Sequence, residues 1–134
     1  SISADYRKLN CLDLSMQYLR KIQEMNPRDP DSYYYIADLY VEMDQVDEAI
    51  NTLQYGLIQT DNDSALLYLL AYAYFIKGNR SQGLETLNQA LEADFDAWPD
   101  FLEYDKELLS NDVEIIDLIE LHKKSHDIQS ENNA

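Results

Sequence analysis

Sliding the chain against itself by 34 residues aligns Tyr34 with Tyr68, Ala37 with Ala71, Tyr40 with Tyr74, Thr52 with Thr86, Leu53 with Leu87 and Leu57 with Leu91. One step earlier the same offset pairs Tyr6 with Tyr40, Asp13 with Asp47 and Leu19 with Leu53, while Ser15, Ala49 and Gly83 put a small residue at one equivalent site. A fixed period of this length restricts the chain to architectures in which one supersecondary unit is copied and stacked on itself. The period runs through at least three units.

Within a unit the apolar spacing is helical. Tyr33, Ile36, Ala37 and Tyr40 fall at i, i+3, i+4 and i+7, as do Leu67, Leu70, Ala71 and Tyr74. A second helical pattern follows each time: Ala49, Ile50, Leu53 and Leu57 after a break at 43–47, and Leu84, Leu87, Ala90 and Leu91 after Gly78-Asn79. Gly78 suits a left-handed helix end, and Asn79 with Gln82 reads as a cap and its reciprocal partner. With only three Gly and three Pro, long helices joined by short turns are favoured over short strands. The predicted class is all-α, each unit a helical hairpin.

These residues resemble the tetratricopeptide repeat family. That family places small residues where paired helices touch, and Ala37, Ala49 and Gly56, then Ala71, Gly83 and Ala90, stand at the matching positions. The large positions match as well, with Tyr33, Ile36, Tyr40 and Leu53 in one unit and Leu67, Leu70, Tyr74 and Leu87 in the next. The resemblance implies an α-solenoid of antiparallel hairpins wound as a right-handed superhelix. It divides a single domain over 1–126 into a partial repeat 1–29, repeats 30–63 and 64–97, and a degenerate repeat 98–126. In the partial repeat Tyr6, Ser15, Leu19 and Pro27 fit a hairpin lacking its first five residues, so the chain is expected to be the C-terminal part of a longer array.

From Trp98 the match weakens, because Asp105 stands at the small-residue position and Phe95 where proline is expected. Pro99 fits a first helical turn, and Asn111 with Glu114 reads as a capping pair for a last helix from about Val113 to His126. There Glu114, Asp117, Glu120 and Lys124 make a polar stripe opposite Ile115, Ile116 and Ile119, as a capping helix requires. The polar segment 127–134 is expected to be disordered.

Charge and chemistry exclude several function classes. Ten basic against twenty-six acidic residues give a formal charge of −16, which repels phosphate backbones and anionic lipid surfaces. The basic doublets Arg7-Lys8, Arg20-Lys21 and Lys123-Lys124 are short and lie near acids, so no nucleic-acid partner is expected. A lone Cys11 forms no internal disulfide, no signal-peptide pattern is present, and the longest apolar stretch, Leu66 to Ile76, falls short of the roughly 20 residues that span a bilayer. A soluble, cytoplasmic protein without membrane insertion is expected. Asp61-Asn62-Asp63 opens like a calcium loop but has Leu66 at the glycine position and Tyr72 at the terminal glutamate, so Asp63 reads as a helix cap instead. His122 and His126 lie four apart with no third ligand in view. No metal, cofactor, phosphate loop or nucleophile with a base is read, and no enzymatic activity is expected.

By the resemblance, first helices line a concave groove. The positions facing it are Asp31, Tyr34, Asp38 and Val41, then Ala65, Tyr68, Tyr72 and Phe75, then Leu102, Lys106 and Leu109. Some members hold a chaperone's C-terminal carboxylate with lysine, asparagine and arginine there; this chain has Tyr34, Asp38, Tyr68 and Tyr72 instead. The helix from Ser64 to Ile76 is apolar nearly all round, covered either by neighbouring hairpins or by a partner's apolar segment. The expected function is a non-catalytic protein interaction module that takes a basic or apolar peptide or helix in an acidic, tyrosine-rich groove. The alternatives are self-assembly into a homo-oligomer, or a regulatory arm of a larger multidomain protein.

Overall fold

The computed structural model describes the backbone of residues 2–133 and the side chains of residue 8 and of 10–133. The side chain of Tyr6, which the repeat pairs with Tyr40, and Ala134, at the end of the expected tail, lie outside what is described. Eight α-helices and no strand occur among the described residues, so the class is all-α. They are α1 (Ile2–Met25), α2 (Pro30–Glu42), α3 (Val46–Thr60), α4 (Ser64–Lys77), α5 (Arg80–Ala93), α6 (Trp98–Glu103), α7 (Lys106–Ser110) and α8 (Val113–Asn132), with a 3-10 turn at Phe95–Ala97 before α6. The starts of α2 and α4 are 34 residues apart, as are those of α3 and α5, so the period of the sequence is a period of the backbone.

The contacts divide the chain into two compact units, residues 1–66 and 67–134. In the first, α1 packs on α2 and α2 on α3. Asp29 caps α2 by accepting from the backbone N–H of Asp31 at 3.0 Å, and Pro30 occupies the first turn, where its missing N–H costs nothing. The α2–α3 turn passes through Asp44 at φ 59°, a left-handed conformation that Asp tolerates better than bulkier residues. Tyr33, Ile36 and Ala37 of α2 and Ala49 and Leu53 of α3 are fully buried. Gly56 lies so close to Tyr33 that an added Cβ would come within 2.8 Å of its Cγ. The small-residue positions are therefore where helix backbones approach. Asp61 and Asn62, at φ 55° and 65°, end α3, and Asp63 Oδ1 accepts from Ala65 and Leu66 to start α4, as the cap reading requires.

The partial repeat departs from expectation. No turn interrupts α1, which runs unbroken from Ile2 to Met25. That stretch contains neither Gly nor Pro, so nothing local ends a first helix near Asn10.

In the second unit α4 closes at Gly78, φ 91°, and α5 follows after Asn79. The Asn79 side chain does meet Gln82, its amide donating at 3.0 Å, but it makes no hydrogen bond to the helix backbone. The third hairpin keeps its second arm and breaks its first. Asp105, at the small-residue position, accepts from the N–H of Leu108 at 3.1 Å, so it starts α7 instead of continuing α6. At α8 the cap is Asp112, which accepts from Ile115 N–H at 3.2 Å, while Asn111 turns back to donate to the Glu107 carbonyl. Nor is the tail disordered through Asn132: α8 continues six residues beyond His126. Every residue from Lys124 to Asn133 is exposed, so backbone hydrogen bonds and the absence of Gly or Pro sustain that end.

Three side-chain pairs fix how α5 and α8 lie. Arg80 donates to Glu114 at 2.7 Å and to Asp112 at 2.5 Å, and Asn88 meets His122 Nε2 at 2.7 Å. Arg80–Glu114 and Asn88–His122 are both 34 residues apart. Equivalent positions of successive second helices therefore face each other, and the two run side by side in the same direction.

Candidate functional site

In the first unit the expected binding residues lie on α2, on a face turned away from the buried Tyr33, Ile36 and Ala37. Asp31 is exposed, and Tyr34, Asp38 and Val41 are half-buried. The Tyr34 ring meets Tyr35 edge-on, with centroids 5.6 Å apart. Burial raises the Asp38 carboxyl above its ordinary value, and the like charge of Glu42 one turn on raises it further. No basic side chain offsets this among the described residues. By contrast Tyr33, on the core side, donates its hydroxyl to the Pro27 carbonyl at 2.7 Å and packs against Tyr55.

In the second unit the residues separate into core and surface. Tyr68 is 3% exposed; its hydroxyl donates to the Asp94 carbonyl at 2.6 Å, and its ring lies 5.7 Å from that of Phe101. Burial, then Asp94 and Asp96, hold that phenol far above its usual range. Tyr68 is thus a strut tying α4 to the end of α5. Leu109 is wholly buried as well. Tyr72 and Phe75 remain half-buried on α4, Tyr72 stacked on Tyr104 with centroids 5.2 Å apart and planes 16° apart. Phe75 covers Gly83, whose added Cβ would come 2.9 Å from the ring. Leu102 is half-buried, Ala65 is exposed, and the exposed Lys106 pairs with Glu103 at 3.4 Å.

Tyr104 was missed. It is equivalent in the repeat to Ile36 and Leu70, not to an expected groove position, and it stands at the end of α6. His122 and His126 line one shallow cavity but have separate partners: His122 meets Asn88, and His126 stacks on Phe95 at 4.9 Å. Among the described residues no group of three or more His, Cys, Asp or Glu could hold a metal ion, and no helix is long and apolar enough to cross a membrane.

Paired helices in a 34-residue register, with small residues at the helix contacts, define a tetratricopeptide-type repeat protein. The sequence model of the family described as Anaphase-promoting complex, cyclosome, subunit 3, itself of tetratricopeptide type, matches residues 12–92, well over half of the chain. The chain belongs to that family. No curated protein matches the sequence. Repeat families of this type are generally non-catalytic and serve protein–protein interaction.

Proposed function

We propose that the chain is a non-catalytic interaction module that holds a basic, apolar-anchored segment of another protein. In the first unit the contact is Asp31, Tyr34, Asp38 and Val41. In the second it is Tyr72, Phe75, Leu102 and Lys106, with Tyr68 supporting α4 from the core. The observation that carries this reading is Asp38, a half-buried carboxyl whose pKa is raised by burial and by the like charge of Glu42. A lysine or arginine brought to it by a partner would remove the like-charge cost and gain a charge-assisted hydrogen bond. Tyr34 beside it offers a large, stiff, partly apolar contact. The family's description names a subunit of a complex, which fits work inside an assembly.

Fluorescence anisotropy with labelled amphipathic peptides tests this. A leucine–lysine peptide is expected to bind and its leucine–glutamate counterpart to fail. Asp31→Asn with Asp38→Asn is expected to weaken the lysine peptide about tenfold, roughly the worth of one charge pair. Equal binding of both peptides, or no effect of the double substitution on a chain of unchanged helicity, refutes the proposal.

A further inference from the structure

The second helices carry a separate surface. Between α5 and α8 runs an open groove of about 470 Å³ lined by Leu84, Glu85, Glu114, Asp117, Leu118 and Leu121. Its origin is the repeat register. Leu84 and Leu118 are 34 residues apart, so the alignment that sets Arg80 against Glu114 and Asn88 against His122 also sets these leucines side by side as the floor. Leu121 is 63% exposed although apolar, and Ile128, two turns further along α8, is 57% exposed. Positions 118, 121 and 128 fall on one side of α8, with the exposed Lys124 and Ser125 in the turn between Leu121 and Ile128, so the apolar floor ends at Leu121 and Ile128 stands apart from it. The rim is acidic. Glu85, Glu114 and Asp117 line it, and the guanidinium of Arg80 at its end is bound by Asp112 and Glu114.

We propose that this groove docks an amphipathic helix of a basic partner protein, whose apolar side chains sit over Leu84, Leu118 and Leu121 and whose lysines or arginines meet Glu85, Asp117 and Glu114. The floor has the form of a helix-in-groove site: two parallel helices leave a trough that a third can fill with an i, i+3, i+7 stripe. Charge selects the occupant. A second copy of a chain carrying −16, brought to an acidic rim, is repelled, as are nucleic acids and anionic lipids. The Arg80 clamp on Asp112 and Glu114 holds the starts of α5 and α8 together, so little ordering is required when the partner arrives.

The probe is a leucine–lysine helical peptide of about 18 residues, five turns long, titrated into the isotope-labelled chain while backbone amide resonances are followed. Saturable shifts clustered at Leu84, Glu85, Asp117, Leu118 and Leu121 are expected. Leu121→Ser, at an exposed position that leaves the fold intact, is expected to weaken them about tenfold, and Glu85→Lys with Asp117→Lys to abolish them. A peptide with glutamate in place of lysine is expected to leave these amides unmoved. The proposal fails if no shifts appear there, if the charge reversal leaves them unchanged, or if the acidic peptide binds equally. It also fails if concentrating the chain alone moves these amides, which would make a second copy the occupant. Shifts at 31–41 on α2 report the first-helix surface independently, so either site can fail without the other.

Discussion

Gly56 and Gly83 stand at small-residue positions of the repeat, yet Gly→Ala is expected to act in opposite directions at the two. Both lie inside helices, where alanine gains about 1 kcal/mol over glycine from backbone propensity alone. At Gly56 the new Cβ would sit 2.8 Å from Tyr33 Cγ, 2.9 Å from Tyr33 Cβ and 3.1 Å from Leu66 Cδ1. Comfortable carbon–carbon contact is about 3.5–4.0 Å. Tyr33 has no room to retreat, being fully buried with its hydroxyl held by the Pro27 carbonyl, and its Cβ moves only if α2 moves. Overpacking of this kind costs about 1–3 kcal/mol, so the net expectation is a loss of about 1 kcal/mol. At Gly83 the clash is with ring atoms of Phe75, 2.9–3.0 Å away, and that half-buried ring can pivot. Most of the propensity gain should survive there. Urea unfolding followed by helical circular dichroism reads both. With a denaturant slope of about 1–2 kcal/mol/M, Gly56→Ala should lower the midpoint by about 0.5–1 M, while Gly83→Ala leaves it level or raises it. A Gly56→Ala chain as stable as Gly83→Ala would show that close approach of α2 and α3 does not depend on the missing side chain.

The Asp38 carboxyl is raised in the folded chain, so its favourable contribution is present below the unfolded value near 3.9 and lost as pH rises through the folded one. Asp38→Asn should therefore raise Tm by about 2 °C at pH 7, after allowance for solvent screening, with the gain gone near pH 3.5. Asp112 runs the other way: the Arg80 hydrogen bond is the largest influence lowering its pKa, so its stabilisation is present above the unfolded value and lost as pH falls through the folded one. Arg80→Ala should flatten that acid limb in thermal melts between about pH 5 and 2. Tyr68→Phe, by removing the bond to the Asp94 carbonyl, should cost about 0.5–1.5 kcal/mol in urea unfolding. Asp105→Ala should cost about 1 kcal/mol through loss of the α7 cap, even though it restores a small residue at a repeat position.

What could be read in advance follows the physics of each residue. Period and helix spacing depend on backbone propensity and apolar pattern, which are local and repeat in register, so α2 to α5 fall where Tyr33, Ala37, Leu53, Ala71 and Leu87 place them. Asp105 shows where the pattern misleads. An aspartate at a small-residue position can be squeezed into a continuing helix or can end one helix and cap the next. Alignment to the repeat favours the first, whereas hydrogen bonding to Leu108 N–H achieves the second. The same competition decided Asn111 against Asp112, adjacent residues with similar capping ability, of which only one reaches the Ile115 N–H. At the other extreme, 127–132 is polar enough to look disordered, but composition that forbids burial does not forbid a solvated helix.

The first-helix surface was harder to read because alignment gives direction without depth. Alignment to the repeat assigns Tyr34, Tyr68 and Tyr72 alike to the expected groove, yet Tyr68 is sealed by Asp94 and Phe101 while Tyr72, stacked on Tyr104, is only half-buried. Tyrosine suits both fates, since its hydroxyl can end a buried ring on a carbonyl or meet solvent, so nothing in the residue type separates them. This changes how binding should be tested. Tyr68→Ala would open a cavity costing about 3–5 kcal/mol, and any loss of partner binding would follow from a damaged α4. Tyr72→Ala removes half-exposed area at far smaller cost to the fold. Loss of peptide affinity with Tyr72→Ala at unchanged helicity would therefore assign the tyrosine to recognition, and retained affinity would leave the whole aromatic strip of α4 to the core.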